Sequence, residues 1–108
     1  MARARDLIRN EIKATLSVAT IANRIGCSTR LLEKDFKAVL GRSVIREIGE
    51  VRISKAQDLL KHTAKSEEAI AAECGYGSPG TLRNVFRARF NTTMREYRSA
   101  SRQVDVKP

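Results

Sequence analysis

Two short stretches, each just behind a serine, gather side chains with directional hydrogen-bonding chemistry. The first is Thr29, Arg30, Glu33 and Lys34, just behind Ser28. The second is Gly80, Thr81, Arg83 and Asn84, just behind Ser78. A guanidinium can hold a guanine edge with two bonds, a carboxylate can accept from the cytosine amino group, and a carboxamide can bond adenine twice. A lysine reaches guanine or phosphate, whereas Gly80 offers only its backbone. Five further cations, Lys37, Arg42, Arg87, Arg89 and Arg95, follow in the same regions and suit phosphate oxygens. Plainer uses exist for all of these. Glu33 has Lys37 four residues on, although such a pair is worth only about 0.2–0.5 kcal/mol and would leave the carboxylate open to a base. The five cations have the alternative of ordinary solvated charge.

The elements that must position these groups are helices. Val18, Ile21, Ala22 and Ile25 form a short apolar stripe behind Ser17, a helix cap. Gly26 ends that helix and Ser28 starts the next, over Thr29–Leu40, with Leu32, Phe36, Val39 and Leu40 turned inward. Gly41 ends it and Ser43 caps a long helix reaching His62. Ile45, Ile48, Ile53, Ala56, Leu59 and Leu60 give that helix a broad apolar face. Gly49 costs it about 1 kcal/mol, either for a close approach or for a bend. Arg52, within the apolar stripe, is expected to pair or snorkel there rather than touch a nucleic acid. Ser66 caps a fifth helix with Glu67 and Glu68 in its first turn, and Ser78-Pro79 opens a sixth that runs to Phe90 with Leu82, Val85, Phe86 and Phe90 inward. A first helix over Ala4–Ala14 and a last one from Thr93 to Ser101 complete the reading, and Gln103–Pro108 reads as a frayed tail. No stretch alternates as a strand does, so the fold class is all-α with about seven helices.

The pattern repeats. Ile21, Ala22 and Gly26 recur 49 residues on as Ile70, Ala71 and Gly75. Ser28, Leu32, Phe36, Gly41 and Ser43 recur 50 on as Ser78, Leu82, Phe86, Asn91 and Thr93. The step is one residue inserted in the second turn, Gly75-Tyr76-Gly77-Ser78. Two helix-turn-helix units follow, at 1–42 and 63–101, joined by a linker helix at 43–62, with 102–108 as tail. About 19 residues at roughly 1.5 Å each make the linker about 29 Å long. Successive major-groove faces lie about 34 Å apart.

Composition agrees with a small basic domain. The chain has 108 residues, 42% of them hydrophobic, and a formal net charge of +9. That size allows one modest core, and the charge favours a polyanionic partner. Cys27 and Cys74 show no ligand spacing, so neither metal nor cofactor is expected. They read as small packing residues in a reducing cytoplasm. No run of about 20 apolar residues would cross a bilayer. His62, the single histidine, has no nucleophile at a recognisable motif spacing and suits the helix end on which it lies, so no enzyme is expected. RNA binding lacks the aromatic stacking residues it would use.

Three runs of residues carry a family resemblance. The first unit contributes Ile21-Ala22-x-x-x-Gly26-x-Ser28-x-x-x-Leu32-x-x-x-Phe36-Lys37-x-x-x-Gly41-x-Ser43, and the linker Arg52-x-x-x-Ala56-x-x-Leu59-Leu60. The second unit contributes Ile70-Ala71-x-x-Cys74-Gly75-Tyr76-x-Ser78-x-x-x-Leu82-x-x-x-Phe86-x-x-x-Phe90, then Glu96-Tyr97-Arg98. This pattern resembles the DNA-binding domain of the arabinose-operon regulator (AraC/XylS) family of bacterial transcription factors, over residues 5 to 99. Its second half looks most like the xylose-operon activator branch. Val44 and Met94 stand where that family often has proline, and Asn91 where it usually has glycine.

The resemblance implies sequence-specific binding of double-stranded DNA and regulation of transcription, with Arg30, Glu33 and Lys34 as base-reading positions. Gly80, Arg83 and Asn84 match them in the second unit. The linker length, near the groove repeat, is expected to place both recognition helices in adjacent major grooves of an asymmetric site, and the resemblance implies a sugar-responsive activator whose effector or dimerisation domain is missing from this chain. The isolated domain is then expected to be monomeric and to touch RNA polymerase. A helical protein-interaction module, with DNA binding secondary, is the alternative.

Overall fold

The structure, a computed structural model, describes residues 1–14 and 16–106. Among them are seven α-helices and no strand: α1 (Ala2–Asn10), α2 (Val18–Ile25), α3 (Thr29–Leu40), α4 (Val44–His62), α5 (Glu67–Cys74), α6 (Pro79–Phe90) and α7 (Met94–Val106). The hydroxyl caps explain where they start. Ser17, Ser28, Ser43, Ser66, Ser78 and Thr93 each accept the amide N–H three residues on, at 3.1 to 3.2 Å. Such a cap satisfies a donor that has no partner within the helix. At the other ends, Gly26, Gly41 and Gly75 take left-handed backbone, and Asn91 does the same at φ 54°. Asparagine tolerates that region better than most residues with a side chain, so it serves where glycine would be usual.

The chain divides into two compact units, Met1–Arg52 and Ile53–Pro108. The division falls inside α4, so the expected linker helix is built into both units. Its first half supplies Val44 and Ile48 to a core with Ile8, Ile12, Ile21, Leu32 and Phe36. Its second half supplies Ile53, Ala56 and Leu60 to a core with Ile70, Cys74, Leu82, Phe86 and Met94. In the second unit Tyr97 meets Phe86 edge-on at 5.3 Å, and Phe90 lies 4.7 Å from Phe86. Arg98 donates to the carbonyls of Leu60, Thr63 and Lys65 at 3.1, 3.1 and 2.8 Å. A cation there satisfies carbonyls at and beyond the end of α4 and matches the negative end of its dipole.

One charge is buried in the first unit. Glu47 is 3% exposed, and Arg42 donates to its Oε1 from Nε at 2.8 Å and from Nη2 at 2.6 Å. Arg5 adds a contact at 3.6 Å. Glu47 thereby takes the inward place in the first turn of α4 that Ile45 was expected to take. Arg52 donates to the carbonyl of Ala14 at 3.4 Å, the structural use expected of it.

Several expectations need correction. Helix α1 begins two residues earlier than expected and gives way to turns after Asn10. Helix α7 continues through Val106, so Gln103–Val106 are helical where a frayed tail was expected; Lys107 and Pro108 lie outside the described residues. Val39, Ile45 and Val85 are 65%, 67% and 39% exposed, not inward. Helical period sets the side on which a residue lies, but not whether a neighbouring element reaches that far along it. Gly49 has open space where a side chain would stand, which removes close approach as its reason. Cys74 is fully buried, Cys27 half-buried, and neither is in a disulfide. Among the described residues no helix is long and apolar enough to cross a membrane.

Candidate nucleic-acid interface

In the first unit the Ser28 cap fixes the first turn of α3, and the core holds its inner face through Leu32 and Phe36. That leaves Thr29, Arg30 and Lys34 exposed on the outer face, with Lys37 exposed further along. Arg30 and Lys34 line an open depression together with Ser28 and Leu31. Leu31 was assigned to neither face from the sequence, because an apolar side chain carries no hydrogen-bonding signal for a base edge.

Glu33 behaves differently. It is half-buried, and its Oε1 accepts the backbone N–H of Val44, the first residue of α4, at 2.9 Å. Its partner is therefore a helix end, not Lys37. Arg42 likewise has a partner other than the phosphate expected for it, since two of its nitrogens hold Glu47. Neither contact has a sequence signal of its own, because each joins residues on different elements.

In the second unit Ser78 caps α6 and Pro79 occupies its first turn, where a missing N–H costs nothing. Thr81, Arg83, Asn84, Arg87 and Arg89 are exposed, and Gly80 is half-buried. A Cβ added at Gly80 would meet Ser78 Oγ at 3.8 Å and Arg83 Nη2 at 3.9 Å, ordinary contact distances. The Thr81 and Ser78 hydroxyls lie 3.1 Å apart. Arg83 reaches across to Glu67, in the first turn of α5, at 3.4 Å. Glu67, Arg83, Asn84, Arg87, Thr93 and Met94 line a cavity of about 220 Å³. The outer face of α6 is thus both cationic and concave.

At the far side of that cavity α7 begins with a reciprocal cap. Thr93 Oγ1 accepts the N–H of Glu96 at 3.1 Å, and Glu96 Oε1 accepts the N–H of Thr93 at 3.1 Å and its hydroxyl at 2.9 Å. The Thr93 amide, then its hydroxyl, hold the Glu96 carboxyl below the usual carboxylate range; Thr92 and Arg87 add to this against a small opposing effect of burial. Arg95 is exposed beside it. No group of three or more His, Cys, Asp or Glu among the described residues could hold a metal ion.

Comparison with known proteins places this geometry. A family model described as a helix-turn-helix domain matches residues 21–100. The xylose operon regulatory protein of Escherichia coli K12 is 32% identical over 102 residues, which cover 94% of this chain and 26% of that protein. The chain therefore spans about a quarter of the length of the curated relatives it matches first. A transcriptional regulator of Chromobacterium violaceum with an AraC-type DNA-binding domain superposes with a TM-score of 0.86 at 35% identity, over 94% of this chain and 91% of that one. The DNA-binding domain of AdpA, a global transcriptional factor solved with a target DNA, superposes at 0.89 with 26% identity, over 99% and 96%. The relatives are transcription regulators, not enzymes.

Proposed function

The chain belongs to the AraC-type helix-turn-helix family of DNA-binding domains, and from that premise we propose that it is the sequence-specific DNA-binding module of a bacterial transcription activator. One observation carries the reading. Two serine-capped helices, α3 and α6, expose first two turns bearing Arg30 and Lys34 in one unit and Arg83 and Asn84 in the other. Such a helix enters the major groove by its N-terminal turn. Arg30, Lys34 and Arg83 address guanine, Asn84 addresses adenine, Thr29 and Thr81 stand beside them, and Gly80 lets the backbone come close. Lys37, Arg87, Arg89 and Arg95 hold phosphates, which position the protein without reading sequence. Glu33 and Arg42 contribute less, because each already serves another helix contact.

The N-terminal halves of the two helices differ in every base-facing residue, so the site is asymmetric, with two unequal boxes about one helical turn, roughly 10 bp, apart. The name of the Escherichia coli relative, a xylose operon regulatory protein, supports a sugar-responsive parent protein, and work on bacterial DNA puts it in the cytoplasm. The isolated chain binds as a monomer, and as part of an activator it works in contact with RNA polymerase.

Selection from a random duplex library, with binding repeated across salt concentrations, tests the reading. Two unequal boxes are expected, with log K falling linearly against log salt as phosphate contacts require. Binding that ignores salt, or a selection without a consensus, would reject it in favour of a protein-interaction module.

A further inference from the structure

Leu31 is 48% exposed. A single exposed leucine is common and carries no message by itself. The place of this one does. It is the third residue of α3, in the turn fixed by the Ser28 cap, and it shares an open depression with Ser28, Arg30 and Lys34. Leu32, its neighbour, is 2% exposed and holds the helix to the core. The core therefore has no use for Leu31, which stands as an apolar group amid cations on the face that meets DNA.

We propose that Leu31 reads the methyl group of a thymine in the major groove; this rests on the DNA-binding reading above. Thymine alone among the four bases presents an apolar group there. An isobutyl side chain has no donor or acceptor for the other base edges, so only that methyl rewards its desolvation. Arg30 and Lys34, on either side, bring the turn close to the duplex through guanine or phosphate. The matching position in the second unit is Thr81, so the preference belongs to the box read by α3.

The experiment uses the duplex selected by the wild-type chain, resynthesised with each thymidine in turn replaced by deoxyuridine, which lacks only the methyl. Wild-type binding is expected to weaken about fourfold at one position in the α3 box, the effect of one buried methyl. Leu31→Ala should bind the thymidine and deoxyuridine duplexes equally, whereas Leu31→Met, still apolar, should keep most of the discrimination. Both variants should melt as the wild type does, because the side chain is half outside the fold. Three outcomes overturn the proposal: a wild type indifferent to every deoxyuridine, a Leu31→Ala variant with the wild-type loss, and a consensus with no thymine in that box. A selection with no consensus at all overturns the DNA-binding reading as well.

Discussion

Glu33 of α3 accepts the backbone N–H of Val44, the first residue of α4, at 2.9 Å. The candidate recognition helix thus holds the first amide of the helix that follows it, beside the Ser43 cap. The second unit uses its acid on a different amide, that of the cap residue Thr93 itself. Fifty residues on, Glu33 is replaced by Arg83 and Arg46 by Glu96. Glu96 of α7 accepts the N–H of its own cap residue, Thr93, and position 83 carries a cation. The two units place one acid and one base at the same two sites in opposite order, and their outer faces differ as a result.

Glu33→Ala should therefore destabilise the first unit by about 1–2 kcal/mol, because a partly buried N–H loses a charged acceptor. Glu33→Gln, which keeps an acceptor, should lose less. Adding Arg46→Glu to Glu33→Ala would place a reciprocal cap like that of α7 on Ser43, an amide Glu33 does not hold, and should offset part of the loss. Urea unfolding at neutral pH measures all three.

Glu67 stands against Arg83 at 3.4 Å on the outer face of the second unit. Such an exposed pair contributes between about 0 and 1 kcal/mol to stability. Glu67→Gln should cost no more than that and should tighten DNA binding about threefold at low salt, since it frees a guanidinium and removes an acid near phosphate. Fluorescence anisotropy with a labelled duplex, compared at low and high salt, reads the effect. Unchanged affinity would mean that Arg83 does not meet the DNA.

On the proposed reading Arg30 addresses a base and Lys37 a phosphate, and substitution separates the two roles. Arg30→Ala should relax the preference at one position of the α3 box, with a loss of about 1–3 kcal/mol on the selected site and much less on unrelated sequence. Lys37→Ala should weaken all sequences alike and lower the salt slope by about one unit. Competition between selected and scrambled duplexes distinguishes them.

Gly49 lies inside α4, is exposed, and has nothing within 4 Å of where a Cβ would be. Gly49→Ala should stabilise the chain by about 0.5–1 kcal/mol through reduced freedom of the unfolded state. A higher urea midpoint with an unchanged slope is the expected result.

Glu96 supplies a pH dependence of known sign. Its carboxyl is held below the usual range by Thr93, so the unfolded chain takes up that proton first as the pH falls. The stabilisation is complete above the unfolded value of about 4.3 and is lost as the pH falls through the lower folded value. Glu96→Gln should remove that part of the acid limb. Urea midpoints from neutral to acid pH, compared with wild type, show it.

Much of the architecture was legible in the residues, because it rests on local chemistry. A serine before an apolar stripe caps a helix whatever surrounds it, and Gly26, Gly75 and Asn91 permit a left-handed turn on their own. Phe36 and Phe86, fifty apart, mark the same inward place in each unit. The outward sides of α3 and α6, with Arg30, Lys34, Arg83 and Asn84, follow from helical period once those inward residues are known.

What sequence could not reach were contacts between elements. That Glu33 caps α4, that Arg42 holds a buried Glu47, that Glu67 faces Arg83 and that Arg98 closes the end of α4 all depend on which helix ends and faces come within about 3 Å of one another. Exposure is decided at the same level: Val39, Ile45 and Val85 look like core residues until the packing leaves them outside. The sequence alone determined the helices, the repeat and the basic outer faces, since caps, turns and period act over a few residues. Only the tertiary structure decided which charges on those faces stay available to DNA, because an ion pair or a cap between distant residues exists only once the core has brought them together.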